Sequence, residues 1–338
     1  MYFLLNENEM NGAKKPSVGI PSLREQVIPS GDNLFKSLFL VLMLLATFYV
    51  MQQVAAGVLP PWIKWPTIAL AAVWNGMLLI GMGVLSHDAI HKVLFRSRFW
   101  NEFWGGLLAG LVLIPIEANR QFHLEHHRFS HQPGLDPENP MHQTSFLFAI
   151  VLGPFIALLA QYRVLANIAL SGDVVRVLKD IFFVSVALSI YFLLLPAFGI
   201  SLMYTWVPTL LALPLVFSVR AMADHYGIPP VMRAAKKNDA LSEEEMESGT
   251  PMRQVVSGWV VLTPLWLEWL WSHVNYHEVH HKYPYLSHKY LRQTFEATRH
   301  QYPYLVVDGY WRSLFNVMKL DYYGKPEDVQ SFLTIQKS

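Results

Sequence analysis

Histidines are the residues of this sequence whose type and spacing best suit chemistry, and most of the fourteen lie in three short clusters. The first cluster, SHDAIH, contains His87 and His91. The second cluster, HLEHHRFSH, contains His123, His126, His127 and His131. The third cluster, HVNYHEVHH, contains His273, His277, His280 and His281, and His225 lies apart in MADHYG. Clusters of this density predict a metal site, because imidazole is the commonest metal ligand in proteins.

The spacing within the clusters suits helices that present several imidazoles to one point. Residues three or four positions apart on a helix have Cβ atoms about 5–6 Å from one another. His123, His126 and His127 have this spacing, and the third cluster repeats it. Adjacent residues diverge by about 100° around a helix, so a pair such as His126 and His127 can face two different ions. Imidazole ligands suit iron, zinc, copper or nickel, and the spacing alone does not choose among them.

Three carboxylates and three isolated histidines have more than one interpretation. Asp88, Glu125 and Glu278 lie inside the clusters. They are either solvated helix charges or carboxylates that orient the ligand imidazoles. The isolated histidines are interpreted as ordinary polar residues of a membrane surface, and they are His142, His288 and His300.

The elements that must position the clusters are apolar helices. Of the 338 residues, 53% are hydrophobic and 15% are charged, whereas soluble domains have about 25% charged residues. A bilayer core requires about 20 apolar residues of helix, and four segments meet this requirement: 38–59, 67–85, 181–200 and 203–219. The composition therefore predicts a multi-pass membrane protein. A net charge of +1 argues against nucleic acid as a partner.

Charge placement predicts how the chain crosses the membrane. The stretches 103–116, 146–160 and 259–271 are short or interrupted by proline or charge, and re-entrant or interfacial helices are expected there. If only the four long segments cross, all of the 26 Lys and Arg except Lys64 lie on one side. The positive-inside rule identifies that side as the cytoplasm.

The predicted fold is an all-α integral membrane protein with four transmembrane helices in two hairpins. A cytoplasmic helical cap would carry the histidine clusters and the interfacial helices, and both termini would be cytoplasmic. The expected organisation is an N-terminal tail over residues 1–36, a membrane domain over 37–310 and a C-terminal tail over 311–338.

The three clusters resemble the histidine boxes of the membrane fatty acid desaturase superfamily, which read H-x3-H, H-x2-HH and H-x2-HH after paired transmembrane helices. The resemblance covers about residues 38–300. The segments VRAMADHYG, VNYHEVHHKYPYL and HHRFSHQPGLDPEN are also similar to family elements. The resemblance implies two non-haem irons, bound almost wholly by histidine, and O2-dependent attack on unactivated C–H bonds. The nine matching ligands are His87, His91, His123, His126, His127, His225, His277, His280 and His281. His131, His273 and Asn275 (through a water) are additional candidates.

Several activities fit the same site. The leading hypothesis is a desaturase of a lipid or carrier-bound acyl chain. A hydroxylase or ketolase, for example of a carotenoid ring, and a terminal-alkene-forming fatty acid oxidase would use the same irons, so the pattern does not separate them. A membrane electron carrier with bis-His haem is disfavoured, because the four predicted spans contain no histidine.

The electrons are expected to come from a separate protein. The chain has no cysteine and no HPGG-type haem motif, so a ferredoxin, a rubredoxin or a cytochrome b5-type carrier is the expected donor. Four arginines are predicted either to dock an acidic carrier or to bind anionic headgroups, and they are Arg96, Arg98, Arg120 and Arg128. The expected location is the bacterial inner membrane, with the histidine boxes on the cytoplasmic side.

Overall fold

The computed structural model describes residues 20–21, 25–131, 134–138, 145–228, 256–320 and 324–334, and these residues are mostly helical. The long helices come first in the chain: α1 (Ser30–Ala56), α2 (Pro61–Ile90), α3 (Arg98–Leu111), α4 (Ile116–Phe129), α5 (Phe146–Leu170), α6 (Val174–Ser189) and α7 (Trp206–His225). Short elements follow: β1 (Trp259–Leu262), α8 (Leu265–Leu270), α9 (His277–Lys282), α10 (Leu291–Thr298), β2 (Leu305–Asp308), α11 (Tyr310–Val317) and α12 (Pro326–Val329).

Within the described residues, five helices are long and apolar enough to cross a membrane: α1, α2, α5, α7, and α6 with its continuation to Ala197. The pair α3 and α4 would make a sixth only if counted as one broken span, because it bends by 96°. This bend, at residues 112–115, is called the elbow below. The number of membrane-length helices therefore exceeds the four that the sequence predicts.

The additional helix is α5, where the predicted end at residue 160 is wrong. The helix runs for 25 residues to Leu170, with Pro154 inside it. Beyond residue 160 the helix continues through two polar residues. Gln161 is buried against the protein, and Arg163 is exposed.

One end of the helix bundle is defined by contacts among the first, second and seventh helices. Pro61 occupies the first turn of α2, where proline fits because that N–H has no helical partner. The Gln52 side chain of α1 accepts a hydrogen bond from Ser201 N at 2.9 Å. Trp206 at the start of α7 packs edge-on against Phe48. The C-terminal ends of α2 and α7 consequently lie at the opposite end of the bundle.

The expectation of an all-α fold is wrong in one region, because residues 259–262 form a strand. The buried segment Trp259–Leu262 pairs in parallel with β2 in the register Trp259↔Leu305. Its β-branched Val260 and Val261 favour extended backbone and are fully buried. Only the short α8 follows Pro264, so the predicted interfacial helix over 259–271 is replaced by a strand and a six-residue helix.

The segment after residue 310, which the sequence predicts to be a tail, packs against the rest of the molecule within its described part. Leu314, Val317 and Val329 are buried members of the main hydrophobic core. Burial of an apolar side chain of this size contributes about 1.5–3 kcal/mol, so these residues help to hold β2 and α11 in place.

Candidate metal centre

Four helices bring the histidine clusters to one place. His87 lies in the last turn of α2, and His91 caps the end of this helix. His123, His126 and His127 of the second cluster lie in the C-terminal half of α4, and His131 lies just beyond its end. His225 is the last residue of α7, and α9 begins at His277. The hydrogen bond from Asn275 Nδ2 to Val261 O at 2.9 Å connects the approach to α9 with β1, so the small sheet sets the position of the third cluster.

The nine histidines form two groups, in each of which one ligand atom per residue lies within 4.8 Å of the others. The larger group combines all three clusters, with His87, His91, His123, His127 and His280. The smaller group is His126, His225, His277 and His281. The adjacent pairs 126–127 and 280–281 are each divided between the two groups, as their different directions around a helix require.

Within each group the Nε2 atoms point at one another. In the larger group, His123 Nε2 lies 3.0 Å from His91 Nε2 and 2.8 Å from His127 Nε2. His280 Nε2 lies 3.0 Å from His127 Nε2. In the smaller group, His277 Nε2 lies 2.7 Å from His225 Nε2 and 3.1 Å from His281 Nε2.

The protonation state of these imidazoles fits a bound cation. Burial lowers the pKa of His277, His280 and His281 well below the usual value, so these rings are neutral at pH 7. A neutral ring has one N–H. Where Nδ1 carries that hydrogen, Nε2 presents a lone pair, and several lone pairs directed at one point repel unless a cation lies between them. The buried Nε2 of His87 also has no hydrogen-bond partner. The donor set therefore fits a divalent metal that accepts imidazole.

Some Nδ1 atoms face a second set of residues, and a hydrogen bond to such a residue fixes the tautomer of the ring. His126 Nδ1 donates to Asp136 Oδ1 at 3.0 Å, and His225 Nδ1 donates to Ser257 O at 3.3 Å. His277 Nδ1 lies 4.0 Å from Asp224 Oδ2. Partners of this kind orient metal-binding imidazoles and raise their basicity. Sequence reasoning missed these three partners, although Asp136 stands in a quoted segment and Asp224 directly precedes His225.

Asp136 is the strongest of these partners. It is 3% exposed, and its second oxygen accepts a hydrogen bond from His131 N at 2.6 Å. Burial alone would raise the pKa of this carboxyl, but the neighbouring His126 holds it below the usual value. Asp136 is therefore an ionised acceptor that holds His126.

The three carboxylates within the clusters differ in environment. Asp88 lies 3.7 Å from His87 Nδ1. Glu278 forms a fully buried ion pair with Lys282 at 2.7 Å and accepts from Ser257 N. Glu125 accepts from Gln121 Nε2 at 3.3 Å on the side of α4 away from the groups. The solvated-charge interpretation therefore fits Glu125, whereas Asp88 and Glu278 are buried beside the site.

His288 is not the isolated surface residue that its position in the sequence suggested. It is buried, and its Nδ1 lies 2.6 Å from Asp88 Oδ2. A contact across 200 positions of sequence has no local signal. His300 is exposed as expected, and His142 lies outside the described residues.

The additional ligand candidates lie beside the groups without joining them. His131 Nε2 donates to Ser257 O at 2.8 Å. His273 Nδ1 lies 3.5 Å from Glu268, and burial lowers the pKa of His273 to about 4. The side-chain nitrogen of Asn275 donates a hydrogen bond to Val261 O on β1, while the buried Oδ1 of Asn275 has no hydrogen-bond partner.

A cavity of about 280 Å³ opens onto both groups. One end is formed by histidines from both groups, which are His87, His123, His126, His225 and His277. The remaining wall is largely apolar and comes mainly from α2, the elbow, α4, α5 and α7. A Cβ at Gly83 would meet nothing within 4 Å, so this glycine leaves open space beside His87. The elbow forms part of the wall, whereas no residue of 259–271 lines the cavity.

The four arginines do not form one exposed patch. Arg120 is largely covered and lies 3.7 Å from Glu117. Arg98 is exposed and pairs with Glu102 at 3.0 Å, and Arg96 and Arg128 are also exposed. A docking surface made of all four residues is therefore not present.

Comparison with known proteins agrees with this geometry. The fatty acid desaturase family model matches residues 60–312, which is more than half of the chain, so the chain belongs to the fatty acid desaturase family. It is 25% identical to sphingolipid delta(4)-desaturase DES1 of Pongo abelii and of Homo sapiens, over 217 residues in each case. The mouse protein of the same name is 24% identical. These alignments cover 61% of this chain and 63% of the relatives, so they span somewhat less than two thirds of each relative's length.

The family and the apolar helices together fit a multi-pass membrane protein. The predicted family is thereby confirmed.

Proposed function

We propose that the protein is an O2-dependent diiron desaturase that acts on the acyl chain of a lipid and receives electrons from a separate carrier protein. The observation that carries this proposal is the pair of histidine groups at the end of one apolar cavity. The larger group would hold one iron and the smaller group the other. Two bound irons would supply the O2 chemistry that removes hydrogen from an unactivated carbon.

The protein's own contribution is placement and exclusion of water. Leu79, Phe122 and Phe217 line the cavity between its ends, so a chain inside it is held away from solvent. Asp136 would hold His126 in one tautomer, and the carbonyl of Ser257 would do the same for His225. The curated relatives are named as desaturases of sphingolipids, which favours loss of two hydrogens over hydroxylation. A hydroxylase, a ketolase or a terminal-alkene-forming oxidase would give a different product from the same site.

Metal and product analysis test this proposal. The purified, iron-loaded protein is expected to contain about two irons per chain and to convert a saturated acyl lipid to its alkene when reductant, a carrier and O2 are supplied. Mass spectrometry separates the alkene from an alcohol or a ketone. Full activity with zinc alone, or with a single iron, would contradict the diiron proposal.

We also propose that four of the five membrane-length helices cross, with the histidines on the cytoplasmic side. His225 ends α7 at the site, whereas Trp206 begins α7 at the far end of α1. The chain must change sides between His131 and Trp206, so one of α5 and α6 crosses and the other does not. The better candidate is α6, because Tyr191 stacks on Trp206 at 3.8 Å and Lys179 pairs with Glu102 near the site end of α2. Helix α5 would then lie along the membrane.

A further inference from the structure

The short helix α11 carries apolar side chains on two faces. Its inner face is buried in the main core and includes Leu314 and Val317. Trp311, Phe315 and Met318 follow one another at intervals of four and three residues, so they share a second face. Their exposed fractions are 70%, 62% and 52%. Three large apolar side chains in one exposed row indicate a surface that binds something apolar.

A polar row lies beside the apolar row on the exposed side of α11. Arg312 and Lys319 belong to this polar row and are exposed, and Arg312 forms an exposed ion pair with Asp308 at 3.3 Å. Adjacent residues such as 311 and 312 diverge by about 100° around a helix, so the two rows face different directions. This division is typical of a helix that lies in a membrane interface, with its apolar row toward the acyl chains.

Contacts of α8 place the neighbouring part of the molecule on the membrane side of the histidines. A Cβ added at Gly81 of α2 would lie 2.7 Å from Leu270 O. The end of α8 is therefore level with a point about 9 Å before His87 along α2, at 1.5 Å per residue. Trp271 Nε1 donates to Met77 O at 3.0 Å, and Met77 lies about one turn farther from the site.

Helix α11 begins at this level of the bundle. The ring of Tyr310, its first residue, packs edge-on against Trp271 with the ring centroids 5.3 Å apart. Just beyond the other end of α11, Leu320 Cδ1 lies 2.7 Å from the position of a Cβ added at Gly227, and Gly227 follows His225 by two positions. The helix therefore extends from the membrane side of the histidines to their level. In the proposed topology this range of depth is the cytoplasmic membrane interface.

Exposed apolar side chains also occur on α8, which connects α11 with α1. Leu265 and Trp266 of α8 are 67% and 55% exposed. The ring of Trp269 packs edge-on against Phe39 of α1 with the centroids 5.5 Å apart, and Phe39 stacks on the exposed Phe35. Helix α1 is apolar enough to cross a membrane, so acyl chains are expected at its exposed face. The same acyl chains can therefore cover α8 and α11.

We infer that α11 anchors the C-terminal segment to the membrane surface, with Trp311, Phe315 and Met318 embedded in the acyl chains of the phospholipid leaflet nearest the histidine groups. Arg312 and Lys319 remain among the headgroups, where anionic lipids attract cations. The contact holds α11, and with it the end of α7, against the membrane. Lipid covers this row whichever reaction the histidine groups support.

Spin labels on single cysteines test the inference, because the chain has no natural cysteine. Trp311→Cys and Phe315→Cys each place a label in the apolar row. Arg312→Cys is the matched control, because it places a label in the polar row of the same helical turn. Leu42→Cys gives a reference on α1, where Leu42 is 64% exposed. Met318→Cys provides a further label in the apolar row if one of the other variants does not fold.

The full-length purified variants are reconstituted in phospholipid bilayers without any other protein. Collision rates of each label are measured with O2, which concentrates among acyl chains, and with a water-soluble paramagnetic chelate. The ratio of O2 collisions to chelate collisions is expected to be at least about threefold higher at positions 311 and 315 than at 312, because the apolar face of an interfacial helix reaches about 5–10 Å into the boundary between headgroups and acyl chains. The ratio at 311 and 315 should approach that at position 42.

Two other outcomes would overturn the inference. Equal ratios at positions 311, 315 and 312 would mean that α11 lies in water. Low collision rates with both reagents at 311 and 315 would mean that another segment or a second copy of this chain covers the apolar row.

Discussion

Two imidazoles of the histidine groups donate a hydrogen bond from Nδ1 to a residue outside the groups. Such a hydrogen bond leaves the lone pair on Nε2, which is the nitrogen that would bind a metal. His126 is the best supported example, because Asp136 accepts from its Nδ1 at 3.0 Å in a fully buried contact. His225 has the same arrangement with a backbone carbonyl. The strength of a bound metal's ligands would therefore depend on residues that do not touch the ion.

Asp136→Asn is expected to lower the affinity for metal about 10- to 100-fold, the usual effect of losing an outer partner of a metal ligand. Metal competition with a chelator, followed by elemental analysis, measures the change. Glu125→Gln is the matched control, because Glu125 contacts Gln121 rather than an imidazole. An equal loss in both variants would contradict a specific role for Asp136.

His127→Ala and His280→Ala are each expected to abolish turnover and to reduce the metal content by up to one ion per chain. Both residues belong to the larger group, where their Nε2 atoms are 3.0 Å apart. Both residues lie outside the five membrane-length helices, so the variants should insert normally. Turnover and elemental analysis are the measurements, with exposed His300→Ala as control. Wild-type activity in either variant would refute ligation by that residue.

At the scale of elements, close helix packing positions the bent pair α3 and α4. A Cβ added at Gly110 would lie 2.4 Å from Phe183 O on α6. Asp180 on α6 also accepts from Glu117 N and Ala118 N, which satisfies two free N–H groups at the start of α4. Helix α6 therefore holds the element that carries the second histidine cluster.

Gly110→Ala is expected to destabilise the protein by about 1–3 kcal/mol, because the methyl group can be accommodated only if α3 and α6 separate. The melting temperature of the purified protein should fall accordingly. Gly83→Ala is the control: the same methyl group meets nothing within 4 Å, and stability should not fall, because alanine is the better helix former. If both substitutions are equally tolerated, the close approach of α3 to α6 is not a constraint.

The sequence predicted elements unevenly, and the reason is the range of the interactions involved. The helix spacing of the clusters is local, so their positions on α2, α4 and α9 agree with expectation. The strand at Trp259–Leu262 pairs with a segment more than forty positions away in sequence, so its β-branched residues favour extended backbone but do not identify the partner. The length of α5 depends on packing that buries Gln161, which composition does not reveal.

At the scale of the whole molecule, the membrane crossings decide whether all nine histidines can meet. Membrane-length helices number five within the described residues. In the proposed topology α5 stays on the cytoplasmic side and α6 crosses the membrane. The two ends of α6 are therefore expected on opposite sides of the membrane.

Single cysteines can be labelled cleanly in this chain, because it contains no natural cysteine. Introduced at Trp65 and Ser201, they are expected to react with an impermeant maleimide on intact cells. Cysteines at Ser97 and Ser171 should react only after the cells are opened, which is the positive control for access. Labelling of Ser171 in intact cells would show that α5 crosses in place of α6. Labelling of Ser97 would place the end of α2 on the wrong side for the proposed cytoplasmic site.

Local sequence patterns were sufficient to identify the family, because H-x3-H and H-x2-HH are read within single turns of helix. Only the tertiary structure assigns each histidine to a group. His127 and His280 meet although 153 positions separate them in sequence, whereas the sequence neighbours His126 and His127 belong to different groups. The same holds for Asp224, which lies 4.0 Å from His277, and for Gln161 on the wall of the cavity. These contacts arise from the packing of segments that are distant in sequence, so the sequence of one segment alone does not predict them.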